Sequence, residues 1–241
     1  MRQTAKCCLL FLAGFLATAA PAHADAIKIG GAVDASSCVP FGCSPGTTYQ
    51  QVVAGAFFSN VFDITGLGFF NTIKDSGGDQ YIDPAQYEIW LSTTGAAVDG
   101  LHTTDFASNR GADATRVFGG PLGGSPAGEI PPGPDAKLSF AWTSAFHFDP
   151  RTGNLLIEVR KVGGTFFGDD GTYLDFGQAL PGVSFVSDFG AGFNGRSAGL
   201  HVEVSGTPGE SVTPVPEPAT LVLIGGGLAG LWVRRRRPTG T

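Results

Sequence analysis

Basic residues are scarce where a binding surface for phosphate would need them. Six of the 15 lysines and arginines lie in the two end segments, as Arg2, Lys6 and Arg234 to Arg237. Only Glu217 of the 21 acidic residues lies there, so the stretch between carries a net charge of about −11. An acidic body excludes nucleic acid as a partner, because phosphate recognition needs clustered Lys and Arg. Cysteine is scarce too, with four in all. Cys7 and Cys8 lie at the start of the first apolar run, which leaves Cys38 and Cys43 for the body. Two thiols with no body histidine nearer than His102 are too few for a zinc centre. The histidines His102, His147 and His201 stand apart, with no H-x-H or H-E-x-x-H, which argues against a metal or acid–base site. Methionine occurs once, Glu and Lys are few, and no stretch of the body sustains a 3.6-residue apolar period. A helical bundle is therefore excluded.

What the chain does have is 37 glycines, 16 prolines and 19 phenylalanines, with 42% hydrophobic residues. A disordered low-complexity chain lacks that apolar content, because it cannot offset its own conformational entropy. The combination predicts a folded body of short strands joined by many turns. Period-2 alternation recurs in Gln86 to Leu91, Asn154 to Arg160 and Leu200 to Val204. In the first, Tyr87, Ile89 and Leu91 face in, while Glu88 and Trp90 face out. In the second, Leu155, Ile157 and Val159 face in, while Glu158 and Arg160 face out. Further strands are expected in Ala26 to Val33, Val52 to Phe58, Asp63 to Phe70, Leu138 to Phe148 and Val183 to Phe189. Turn signals separate them, as in Asp149-Pro150-Arg151-Thr152-Gly153. The Gly/Pro-rich run Gly119 to Pro134 reads as a long surface loop. The expected fold is all-β, a single antiparallel two-sheet sandwich of jelly-roll type over residues 25–211.

Both ends read as addresses. Residues 1–24 combine a basic start, an apolar run from Cys7 to Ala20 and Ala22-His23-Ala24, an A-x-A cleavage site; this is a secretory signal peptide cut between Ala24 and Asp25. At the other end, residues 212–218 form an extended linker, 219–233 an uncharged apolar segment and 234–241 an Arg-rich tail. Fifteen helical residues span only ~22 Å, so the segment predicts a marginal transmembrane helix with Trp232 at the interface. Arg234, Arg235, Arg236 and Arg237 place its end in the cytoplasm and the body outside. Gly225 to Gly230 matches G-x-G-x-x-G fortuitously, because too little chain follows to build a dinucleotide fold.

Pro216-Glu217-Pro218, the Gly-rich apolar segment and the arginine cluster, in that order, resemble the PEP-CTERM sorting signal. The resemblance implies recognition and removal of the tail by an exosortase-type enzyme, at the cytoplasmic membrane of a Gram-negative bacterium. It also implies a place at the cell surface or in the extracellular matrix, together with exopolysaccharide. Tyr87 to Thr94 and Phe148 to Ile157 resemble phrases of a body common among such proteins, to which no activity is attached.

In the body, Cys38 and Cys43 predict a small local disulfide, since Pro40 and Gly42 let the chain turn in an oxidising compartment. Asp75, Asp79 and Asp83 flank two glycines and are candidate calcium ligands, as are Asp169 and Asp170. The same residues also serve as ordinary turns. Exposed Trp90 or Trp142 would suit stacking on sugars. Ser125 lacks the last glycine and the strand-to-helix setting of a hydrolase elbow. His147 and His201 read as polar-face strand residues. The expectation is a non-enzymatic surface or matrix protein, with a carbohydrate-binding module, calcium-dependent or not, as the alternative.

Overall fold

The computed structural model describes residues 25–31, 36–41, 48–71, 85–121, 137–163, 174–188, 193–195 and 197–209. The strands are, in chain order, β1 (Asp25–Ile29), β2 (Ser36–Ser37), β3 (Thr48–Val53), β4 (Phe62–Phe70), β5 (Gln86–Thr94) and β6 (Thr115–Pro121). They continue as β7 (Lys137–Phe148), β8 (Asn154–Gly163), β9 (Leu174–Gly177), β10 (Val183–Ser187), β11 (Phe193–Gly195), β12 (Gly199–Leu200) and β13 (Val202–Pro208). Among the described residues there is no α-helix, only short 3-10 turns at Gly55–Phe57 and Phe106–Asn109. No helix there is long and apolar enough to cross a membrane, and residues 219–233 lie outside the described residues.

All pairings are antiparallel. A four-stranded sheet in the order β1-β13-β4-β7 faces a six-stranded sheet in the order β11-β10-β3-β8-β5-β6, with β12-β9-β2 as a small third sheet. The result is sandwich-like, as the alternation predicted. Tyr87, Ile89 and Leu91 of β5 and Leu155, Ile157 and Val159 of β8 are wholly buried between the sheets. Phe41 enters from the β2–β3 connection and meets Phe69, Tyr87 and Phe140 at ring separations of 5.2, 5.4 and 5.9 Å. Such edge-to-face, tilted and stacked contacts add to the burial of each ring. Phe118 of β6 packs on Phe140 of β7 at 4.9 Å and draws the sheets together along one side.

Several sequence expectations need correction. The strand expected over Val52 to Phe58 lies earlier, at Thr48–Val53, and the chain then turns through Gly55–Phe57. Gly119 to Pro121, expected in a loop, close β6 on β5, with Gly120 opposite Tyr87. Strands β2, β6, β9 and β11 carried too little alternation to be foreseen.

The two ends of the sandwich differ. Asp25 pairs with Gly206, Pro208 with Phe62, and Phe62 with Phe148, so the start of β1 and the end of β13 share one end. The tight turn 149–153 and the 54–61 connection cross between the sheets there. The connections 30–47, 71–85, 122–136 and 164–173 depart from the opposite end.

Candidate functional site

The targeting residues fall outside what the structure describes. This applies to Ala24, to Pro216, Glu217 and Pro218, and to Arg234 through Arg237; Asp25 opens β1. Cys43, Asp75, Asp79, Asp83, Ser125, Asp169 and Asp170 also lie outside the described residues, while Cys38 is half-buried beside β2. Among the described residues no group of three His, Cys, Asp or Glu side chains could hold a metal ion.

The polar cluster that the structure does assemble lies on the outer face of the six-stranded sheet. Glu158 points to that face, as expected, but it is only 1% exposed. The 95–114 connection between β5 and β6 folds back across the sheet and covers it. Arg110, from this connection, grips Glu158 with Nε and Nη2 at 2.5 and 2.7 Å. Arg160 of β8 holds the same carboxylate from the other side, and Gln50 Nε2 of β3 donates to it at 3.0 Å. Burial pushes the Glu158 carboxyl up, but the donations from Arg110, Arg160 and Gln50 outweigh it and hold the group below the usual carboxylate range.

Asn109 completes the cluster. Its Nδ2 donates to Gln50 Oε1 at 2.7 Å and to the His102 carbonyl at 3.0 Å. Its Oδ1 accepts from the His102 N–H at 2.8 Å, and its own carbonyl accepts from Thr94 Oγ1 at 2.6 Å. Gln50 Nε2 also donates to the Phe106 carbonyl at 2.8 Å. Every polar atom of the Asn109 side chain is therefore spent on positioning the strap. Sequence reasoning missed this cluster because its members are 48 and 59 residues apart and form no local motif.

Trp90 lies at the margin of the same face. Its ring is half-buried, with the Arg160 guanidinium 4.7 Å from its centroid and its Nε1 donating to Glu88 Oε2 at 2.9 Å. Arg116 Nη1 pairs with Glu88 Oε1 at 2.7 Å, and hydrogen bonds from Trp90 and then Arg116 lower the Glu88 pKa. Beside these groups a groove of about 390 Å³ runs along β5 and β6, lined by Gln86, Glu88, Arg116, Gly120 and Val162. Val162 is exposed, unusually for a large apolar side chain of this protein. Trp142, the other tryptophan considered for sugars, is half-buried against the core and donates to the Ile64 carbonyl at 2.9 Å. Neither indole is the freely exposed platform expected.

Of the histidines, His147 keeps its expected place on an exposed face and pairs with Asp63 at 2.7 Å. His201 does not. It is only 4% exposed, between β12 and β13, with Nδ1 bonded to the backbone of Gly31. A Cβ at Gly30 would lie 2.6 Å from its ring, and one at Gly177 2.5 Å. The glycines on either side make the slot that the ring fills.

No curated protein matches the chain. Among solved structures, the crystal structure of the infectious bursal disease virus VP2 subviral particle aligns with 87% of this chain and 49% of its own, at 15% identity and a TM-score of 0.22. The chain thus spans about half of that protein, and at this score the likeness carries no argument. The family model of the PEP-CTERM protein-sorting motif matches residues 214–237, the Pro-Glu-Pro, apolar and arginine segments together. The protein is therefore a carrier of the PEP-CTERM protein-sorting motif, which implies export, membrane-anchored sorting and processing by an exosortase-type enzyme.

Proposed function

We propose that this is a non-enzymatic surface or matrix protein, released from a transient membrane anchor by tail removal and associated with exopolysaccharide. The sorting motif at residues 214–237 carries the reading. In sequence it follows a described body whose last strand ends at Pro208. The signal peptide expected over residues 1–24 would end where β1 begins, which leaves Asp25 free to pair. A structural role for the body is supported by Glu158, which is clasped by two arginines and held as an anion below the usual carboxylate range. Mass spectrometry of both ends of the mature protein, with cell fractionation in the native host, tests the reading. A start at Asp25 and an end near Pro216 to Pro218, outside the cytoplasmic membrane, is expected. An intact Arg234 to Arg237 tail in the membrane fraction, despite an active processing enzyme, would refute release. A mass lower by two hydrogens before reduction than after it would support the Cys38–Cys43 disulfide.

The second reading is a carbohydrate-binding module, favoured by the groove beside Trp90 and Val162. Partly buried aromatic rings beside ion-paired polar groups suit a sugar's alternating apolar and hydroxyl surfaces. Binding on a glycan array that is lost in Trp90→Ala would favour it. A calcium-dependent rise in melting temperature, removed by neutralising Asp75, Asp79 and Asp83, would add the metal. Silence in both assays leaves the matrix reading.

A further inference from the structure

The described body begins at Asp25 and ends at Gly209 on one end of the sandwich, and chain length converts this into an orientation. We propose that, while the tail is anchored, the body stands on the bilayer with this end down and the opposite end, where β1, β4 and β8 finish, directed outward. The inference rests on the sorting reading above. Gly209 is the last described residue and is fastened to the body, its N–H donating to the Val61 carbonyl at 2.8 Å. Ala219, where the apolar segment begins, lies ten Cα–Cα steps further on, across nine intervening residues. At no more than ~3.6 Å per residue the connection reaches at most about 36 Å, and to Pro216 about 25 Å. The strands themselves are comparable in length: β4, with nine residues, spans ~30 Å. Fully extended, the tether is about as long as the body, so the attached end lies nearer the bilayer in all but its most extended arrangements.

The start of the body gives an independent constraint. Asp25 is antiparallel partner to Gly206 and so emerges at the same end as Gly209. A signal peptide before Asp25 and a sorting tail after Gly209 would therefore enter the membrane from the same side of the folded body. The surface there is formed by Ser59 and Asn60, the 149–153 turn, the 178–182 turn and the start of the 95–114 connection, where the Ala96 carbonyl accepts from Asn154 Nδ2 at 2.9 Å. Its charges are largely paired with one another, Asp149 with Arg151 at 2.7 Å and Asp63 with His147 at 2.7 Å. Such a surface carries no cationic patch for lipid headgroups, so orientation comes from the tether rather than from adhesion. At the other end, Lys137, Phe70, Gly31 and Val162 accompany the departing connections.

The test places a small fluorophore, through a genetically encoded residue, at exposed Asn60 or at exposed Val162. The full chain lacking only the signal peptide is reconstituted in vesicles of phosphatidylethanolamine and phosphatidylglycerol with an acceptor dye on some headgroups. Energy transfer should be clearly higher from Asn60 than from Val162. A flexible Gly/Ser insertion of about thirty residues after Gly209 should erase the difference while flotation with the vesicles persists. Equal or reversed transfer in chains that float would overturn the orientation and leave the sorting reading standing. Chains that do not float at all would overturn both, because the tail would not be a membrane anchor.

Discussion

Glu158 illustrates how a single residue can be read correctly in direction and wrongly in environment. Its neighbours Ile157 and Val159 fix it on the outer face of β8, because successive side chains alternate across a strand. Nothing in the local sequence announces that Arg110 arrives 48 residues away to bury it. Removing one member of such a buried ion pair leaves charge without a partner, at a cost of about 3 kcal/mol. Glu158→Gln should therefore lower the unfolding free energy in urea by that order, while a like change at Asp149, whose partner Arg151 is open to solvent, should cost less. The pH dependence follows from the lowered pKa of Glu158. Its contribution is fully present above the unfolded carboxylate value, near 4.3, and is lost as pH falls through the lower folded value. Acid melts should show a stability limb below about pH 4 that is flattened in Glu158→Gln. His201 gives the complementary case. Gly30 holds φ +85°, and a Cβ there would meet the imidazole ring. Gly30→Ala should cost about 2 kcal/mol in chemical denaturation, since it combines backbone strain with overpacking.

Among the elements, the 95–114 strap is the one whose placement depends most on side-chain hydrogen bonds. Its 3-10 turn at Phe106–Asn109 is too short to be stable alone, and Asn109 ties it to Gln50 on β3. Asn109→Ala should leave Gln50 Oε1 and the His102 backbone groups without their Asn109 partners, at a cost of about 1–3 kcal/mol. Hydrogen exchange should then quicken across 95–114 while β3 and β8 keep their protection; equal loosening of the whole six-stranded sheet would contradict the strap assignment. The core uses a similar device. Gln51 is buried inside β3, where its Nε2 donates to the Leu200 carbonyl at 3.1 Å and its Oε1 accepts from the Leu200 N–H at 2.8 Å. Its amide stands in for a neighbouring strand and links β12 to the larger sheet. Such polar residues interrupt apolar alternation, which is why β3 was read too late in the chain and β12 was merged with β13. Strands β5, β7 and β8 were legible because each has one clean apolar face.

In the whole molecule, the last strand is inserted between the first and the fourth: β13 pairs with β1 and with β4. The four-stranded sheet cannot be completed before the chain has emerged as far as Pro208. A chain truncated after Ser211 should melt like the full body, whereas one truncated after Leu200 should show no cooperative transition by circular dichroism. If both truncations melted alike, β13 would be dispensable and the sheet order wrong. This arrangement puts the completion of folding only a few residues ahead of the sorting motif at 214–237.

The sorting motif, the acidic body and the β-class of the fold were determined by the sequence itself, because each depends on local order or on composition. Charge balance, a basic–apolar–small pattern and a Pro-Glu-Pro segment before arginines keep their meaning without long-range contacts. Only the tertiary structure decided that Glu158 is buried, that His201 fills a slot between glycines, and that both termini leave from one end. Each of those depends on which distant segment covers which face, and loop closure and sheet order set that, not strand periodicity.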